Sequence, residues 1–123
     1  MLYAVFCYHS EEAVFSWSKQ EEEAVIGKLV AVQAPLAKAR KLGPVARLQP
    51  TTSAITVRSD KDGPLVIDGP FAETKEQLLG FYVIDCASLE EAVAFVKELE
   101  RANPGGAHEL RPMLGLNPSS LTQ

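Results

Sequence analysis

The sequence predicts an α+β sandwich, on three observations. Two apolar runs rich in β-branched and aromatic residues, Leu2 to Tyr8 and Leu78 to Cys86, read as core strands. Two segments that open on S-x-x-E, Ser18-Lys19-Gln20-Glu21 and Ser88-Leu89-Glu90-Glu91, read as capped helices. The helices are segregated from runs of shorter strands, which is the pattern of α+β domains.

Leu2 to Tyr8 carries apolar residues on both faces, Leu2, Ala4, Phe6 and Tyr8 on one and Tyr3, Val5 and Cys7 on the other, so it is expected to be a central strand. His9 to Trp17 is a polar connection holding the acidic pair Glu11-Glu12, with Trp17 placed either to staple the start of the next helix or to cover a pocket between subunits. That helix is expected to run from Ser18 to about Leu42. Val25, Leu29, Val32 and Leu36, flanked by Ile26 and Val30, recur at steps of four and three and form one buried stripe. Pro35 lacks an amide hydrogen and should kink or split the helix. Lys38, Arg40 and Lys41 suit the negative end of the helix dipole, and Gly43-Pro44 is the expected stop.

Val45 to Gln49 and Ala54 to Arg58 read as short strands around Pro50-Thr51-Thr52. Ser59-Asp60-Lys61-Asp62-Gly63 carries the Asp-Gly signature of a hairpin turn, with Pro64 to Ile67 as the returning strand. Asp68 to Glu73 is a loop and Thr74 to Gln77 a polar segment before the strand Leu78 to Cys86. The second helix draws its core stripe from Leu89, Ala92, Val93, Val96 and Leu99 and ends near Ala102. Asn103-Pro104-Gly105-Gly106 breaks the chain, His108 to Leu114 makes a last strand, and residues 115–123 form a polar tail after a single domain over residues 1–114. If the core is the split βαβ arrangement of ferredoxin-like folds, the Ala54 to Ile67 hairpin is an insertion or an edge addition. In that arrangement the strands Leu2 to Tyr8 and Leu78 to Cys86 are expected to be parallel neighbours, with Cys7 and Cys86 at the same end of the sheet.

Composition bounds the chemistry. The 123 residues carry 12 basic and 16 acidic side chains, a net charge of -4, so a polyanion is repelled at long range and direct nucleic-acid binding is not expected. No apolar run approaches the ~20 residues that span a bilayer, and the first residues lack the basic region and cleavage site of a signal peptide, so no membrane partner and a cytoplasmic location are expected. The two cysteines match no zinc or CxxC spacing, the two histidines make no metal motif, and the glycines fall in no phosphate-loop or dinucleotide pattern. No cofactor or metal is therefore expected.

Three side chains stand out as acid-base candidates: Asp68, His9 and Glu73. In Asp68-Gly69-Pro70-Phe71, Gly69 permits a positive φ, Pro70 fixes the bend and Phe71 supplies an anchor, so Asp68 can serve as a turn cap. Alternatively, the turn presents Asp68 and Glu73 to a pocket whose opposite wall carries His9, where a carboxylate acts as base or orients an imidazole. His108, beside a glycine-rich loop, is a weaker candidate of the same kind. Cys7 lies in an apolar strand that would raise its pKa, which argues for a buried thiol and against a nucleophile.

The segment Asp68-Gly69-Pro70-Phe71-Ala72-Glu73-Thr74-Lys75-Glu76-Gln77, followed by Leu78-Leu79-Gly80-Phe81-Tyr82-Val83-Ile84-Asp85, closely resembles the signature of the DGPF branch of the YCII-related family. Gly43, Leu48, Pro50, the strand Ala54-Ile55-Thr56-Val57-Arg58 and Glu109-Leu110-Arg111-Pro112 add to the likeness, which spans roughly residues 1 to 113. The resemblance implies a ferredoxin-like domain that pairs into a homodimeric α/β barrel. For the wider family it implies an enzyme or small-molecule binder using a histidine and an aspartate, and for some DGPF-type domains it implies a noncatalytic partner of a sigma-factor system. The family's histidine lies in the first long helix. This chain has none there, and His9 stands as its positional substitute.

Overall fold

The computed structural model describes residues 1–121. The elements run β1 (Leu2–His9), α1 (Glu11–Val14), α2 (Lys19–Lys38), β2 (Leu42–Arg47), a 3-10 turn (Thr51–Ser53), β3 (Ile55–Asp60), β4 (Gly63–Asp68), β5 (Gln77–Asp85), α3 (Leu89–Ala102) and β6 (Ala107–Pro112). β2, β5, β1 and β6 form one sheet in that spatial order, with every neighbouring pair antiparallel. β3 and β4 pair in a separate two-stranded sheet. The architecture is α+β and consistent with a ferredoxin-like fold, the β3–β4 arm standing outside the main sheet.

β1 and β5 are antiparallel, where parallel neighbours were expected. In a split βαβ unit the two strands joined by the helix, β1 and β2, are the parallel pair, and β5 slips between them antiparallel to both. The cysteines consequently lie at opposite ends of the sheet and not at the same one. Cys7 pairs opposite Gly80, whereas the Cys86 amide donates to the Met1 carbonyl beyond the other end of β1. Both are free thiols.

Alternation along β1 and β5 sends Tyr3, Val5, Tyr82 and Ile84 to the face that the helices cover, where they meet Ala92 and Leu99 of α3 in the buried core. Leu29, Val32 and Leu36 of α2 pack on that cluster as their spacing predicts. Two details of α3 depart from expectation. Leu89 is 55% exposed, and Phe95 takes an inward place, edge-on to Tyr82 at 6.2 Å between ring centroids.

α2 opens on the expected capping box: the Glu21 amide donates to Ser18 Oγ at 3.1 Å and the Ser18 amide to Glu21 Oε1 at 3.2 Å. It then runs unbroken through Pro35 and stops at Lys38, four residues before Leu42. Pro35 is tolerated because it sits in the last turn, where it removes one internal hydrogen bond and little helix remains to be redirected. The stop is made by Arg40, whose φ of 60 turns the chain so that the Arg40 amide reaches the Ala37 carbonyl at 3.1 Å and the Lys41 amide the Leu36 carbonyl at 2.8 Å. Gly43 and Pro44 are instead part of β2, at its bulge, which is why that strand begins at Leu42 and not at Val45. A Cβ on Gly43 would come within 2.9 Å of the Val83 carbonyl oxygen, so only glycine fits there.

The predicted hairpin forms, with Asp60 paired to Gly63 across Lys61-Asp62 and Gly63 at φ 114. Residues 115–121 form neither helix nor strand, and the last two residues of the predicted tail, Thr122 and Gln123, lie outside the described residues. Among the described residues no helix is long and apolar enough to cross a membrane.

Candidate functional site

A cavity of about 320 Å³ lies between α2 and the end of the sheet at which β1 finishes. Cys7, Gly80 and Tyr82 line it from the sheet, Val25, Ile26, Leu29 and Gln33 from α2, and Val14 and Trp17 from the connection between them. Gly80, in this lining, cannot be anything larger: β5 and β2 approach so closely there that a Cβ would meet the Ala46 carbonyl oxygen at 2.5 Å. Trp17 thus forms part of a cavity wall in addition to preceding the cap of α2.

Two imidazoles stand at this cavity. His9 ends β1, and its Nε2 lies 3.2 Å from the Pro104 carbonyl oxygen. A carbonyl only accepts, so the contact places a proton on Nε2. Nδ1 is buried and has no hydrogen-bond partner among the described residues. The ring lies against the glycine pair of the α3–β6 loop: a Cβ at Gly106 would come within 2.9 Å of His9 Cδ2, and one at Gly105, where φ is 105, within 3.5 Å of His9 Nε2. The chain-breaking segment 103–106 is therefore the bed on which His9 rests.

His108 faces Cys7 across the β1–β6 ladder. Its Nδ1 lies 3.0 Å from Glu100 Oε2. Burial pulls its pKa below 6.5, the Glu100 carboxylate opposes that shift, and charge on His9 adds to it. At neutral pH His108 is thus uncharged, donates from Nδ1 to Glu100 and keeps an unprotonated Nε2. Tyr82 Oη accepts from Gln33 Nε2 at 3.0 Å, and burial raises the phenol pKa, so it stays protonated. Burial pushes the Cys7 thiol up to about 12, which removes it as a nucleophile at neutral pH. At the solvent side of the cavity the half-exposed Arg47 side chain donates from Nη2 to Glu22 Oε1 at 3.0 Å. No group of three or more metal-ligating side chains occurs among the described residues.

The family model for the YCII-related domain matches residues 1–114. The chain belongs to the YCII-related family. A curated protein of Rhizobium meliloti (strain 1021), described as uncharacterised, is 56% identical over 122 residues, covering 98% of both chains. Among solved structures, 5-chloro-2-hydroxyhydroquinone dehydrochlorinase from Burkholderia phenoliruptrix AC1100, in complex with 2,5-dihydroxybenzoquinone, superposes with a TM-score of 0.52. That match spans 94% of this chain and 96% of the dehydrochlorinase at 15% identity, so it speaks to the fold.

Of the three acid-base candidates in this YCII-related chain, only His9 lines the cavity. Asp68 closes β4 opposite Ile55 and is exposed, and Glu73 is exposed in the loop that follows. The expected pocket holding all three is not assembled within one chain, because β3 and β4 form an arm apart from the sheet that bears His9. The Asp68-Gly69 bend is held by backbone and hydroxyl: the Gly69 amide donates to the Ala54 carbonyl at 2.8 Å, and Thr56 Oγ1 donates to the Gly69 carbonyl at 2.8 Å. Gly69 takes the positive φ, 113, that its place in the turn predicts. Phe71 is 75% exposed, with the Arg58 guanidinium 4.9 Å from its ring centre.

Several side chains around the cavity carry no local signal in the sequence. Glu100, Gln33, Tyr82 and Arg47 come from four different elements, and only the β1–β5–β2 register and the packing of α2 and α3 collect them. Glu11 is another such residue. Its carboxylate accepts from the Thr51 amide at 2.8 Å and from Thr51 Oγ1 at 2.5 Å, while its own amide donates to Gln77 Oε1 at 2.9 Å. Those bonds tie α1, and with it the Val14–Trp17 wall, to the 3-10 turn and to the start of β5.

Proposed function

We propose that this YCII-related protein binds a small phenolic or quinone-like molecule in the His9 cavity and performs acid-base chemistry on it with the imidazoles of His9 and His108. The observation that carries this reading is the cavity itself: about 320 Å³, mostly apolar walls, and two histidines in its lining, of which the buried His108 keeps an unprotonated nitrogen. A neutral imidazole is suited to take a phenolic proton near pH 7, and the protonated Tyr82 hydroxyl can donate to a ligand oxygen. The dehydrochlorinase of similar fold, whose structure holds 2,5-dihydroxybenzoquinone, supports the ligand class.

The DGPF-type segment and a homodimer belong to the same reading. Asp68 and Glu73 lie off the cavity in one chain, so a catalytic part for them requires the arm of a second copy to approach it. The arm's exposed apolar residues, Ile55 at 64%, Val57 at 62% and Val66 at 65%, favour such a pairing. The same surface supports the second reading, a noncatalytic accessory of a sigma-factor system, in which the arm meets a different protein.

Two measurements test the acid-base reading. 2,5-Dihydroxybenzoquinone should raise the melting temperature of the wild type, and resorcinol should exchange its ring protons with D2O faster in the presence of the protein. His9→Gln together with His108→Gln should abolish the exchange. Exchange at the uncatalysed rate with the wild type would remove the enzymatic reading, and absence of a thermal shift would remove the ligand class.

A further inference from the structure

The lining of the cavity contradicts the charge of the chain. The chain carries a net charge of -4, yet among the described residues the cavity wall holds no aspartate or glutamate. Its only permanently charged member is Arg47, and its titratable bases are His9 and His108. Arg47 is thus the one permanent charge that a ligand in the cavity meets in its wall, and its counter-charge, Glu22, lies outside the lining.

Arg47 is also held in a way that leaves it available. It lies in β2 opposite Gly80, so the arginine leaves the sheet where no side chain on β5 competes for the space. Among the described residues its one carboxylate partner is Glu22 on the first turns of α2, reached through a single contact from Nη2. That pair is half-exposed, so it contributes little to stability and exchanges readily. A guanidinium offers five donors in a planar fork, and a ligand carboxylate can take two of them at once where Glu22 takes one.

We infer that Arg47 is a specificity-determining residue and that the ligand is a single-ring aromatic carboxylate, whose ring fills the apolar cavity and whose carboxylate displaces Glu22 from Arg47. The inference rests on the cavity being the ligand site and adds the charge of the ligand. Glu22 holds the guanidinium in place at the cavity wall, and ligand binding exchanges one carboxylate for another.

The test compares 4-hydroxybenzoate with its neutral counterpart 4-hydroxybenzamide by calorimetric titration of the full chain. The benzoate is expected to bind at least about tenfold more tightly, the scale of a charge-assisted hydrogen bond. Arg47→Gln should remove the preference, Arg47→Lys should retain part of it because charge remains while the fork is lost, and Glu22→Gln should tighten the benzoate alone. Equal affinity of the two probes for the wild type, or a preference that survives Arg47→Gln, would overturn the inference. Val30→Trp, at a half-exposed position of the cavity wall, separates this from failure of the cavity reading: binding of the amide that persists in that variant shows a site elsewhere and removes both.

Discussion

The Nε2 of His9 lies 3.2 Å from the carbonyl oxygen of Pro104, 95 residues further along the chain. That contact places a proton on Nε2, and the two glycines after Pro104 make room for the ring. The orientation of His9 is therefore a property of the α3–β6 loop as much as of β1. Nδ1, buried without a partner among the described residues, carries a desolvation cost of roughly 1–3 kcal/mol that the rest of the fold must offset.

Gly106→Ala should disturb this arrangement more than its one added methyl suggests. The new Cβ would fall 2.2 Å from the Tyr8 carbonyl oxygen and 2.9 Å from His9 Cδ2, so backbone and ring must both move. Overpacking of this kind costs about 1–3 kcal/mol, to be read from urea denaturation. The His9 ring resonances should shift in the same variant. Unaltered stability and unaltered His9 resonances would show that the loop does not hold the ring.

His108 gives the fold a defined pH response. Its folded pKa lies below the ordinary 6.5, chiefly through burial, so the unfolded chain binds this proton more readily than the folded one. The stabilisation is fully present above pH 6.5 and is lost as pH falls from there toward the folded value. The melting temperature should therefore decline less steeply below pH 6.5 in His108→Gln than in the wild type. Parallel profiles for the two proteins would contradict a buried neutral imidazole at this position.

Cys7 should be silent toward thiol reagents in the native protein although it lines the cavity. With a pKa near 12, only about one thiol in ten thousand is ionised at pH 8. Cys86, fully buried and also raised chiefly by desolvation, should behave alike. A colourimetric thiol titration should count no fast-reacting groups before denaturant is added and two afterwards. One fast thiol in the native state would point to an open route to Cys7.

The elements were legible where their signals are local. Ser18 and Ser88 with Glu21 and Glu91 three residues on mark both long helices, and Lys61-Asp62-Gly63 marks the hairpin, because caps and turns are decided by neighbours in the chain. Apolar runs carry no polarity, so the direction of β5 against β1 rests on the split βαβ topology alone, in which the strand between the two parallel ones runs antiparallel to both; the parallel pairing expected for it assigned that topology to the wrong pair of strands. The end of α2 was misplaced for a related reason: Gly43 looks like a helix stop, but its lack of a side chain answers the close approach of Val83 across the sheet. His9 could be found from its place at a strand end. Arg47, Tyr82 and Glu100 could not, because each looks like an ordinary strand or helix residue until register brings it to the cavity or, for Glu100, to His108.

The β3–β4 arm supplies the last prediction. A two-stranded hairpin is at best marginally stable in water by itself, yet this one stands apart from the main sheet with Val57 and Val66 paired and more than half exposed. If a second copy covers that face, light scattering should give the mass of two chains for the wild type. Replacing the pair by Val57→Lys with Val66→Glu places opposite charges directly across the ladder, which preserves the hairpin at a cross-strand pair worth a few tenths of a kcal/mol to about 1 kcal/mol. The same change puts two charges on the apolar face. The double variant should therefore remain folded by circular dichroism and run as a single chain, whereas a wild type already monomeric at micromolar concentration would reassign the arm to a different partner.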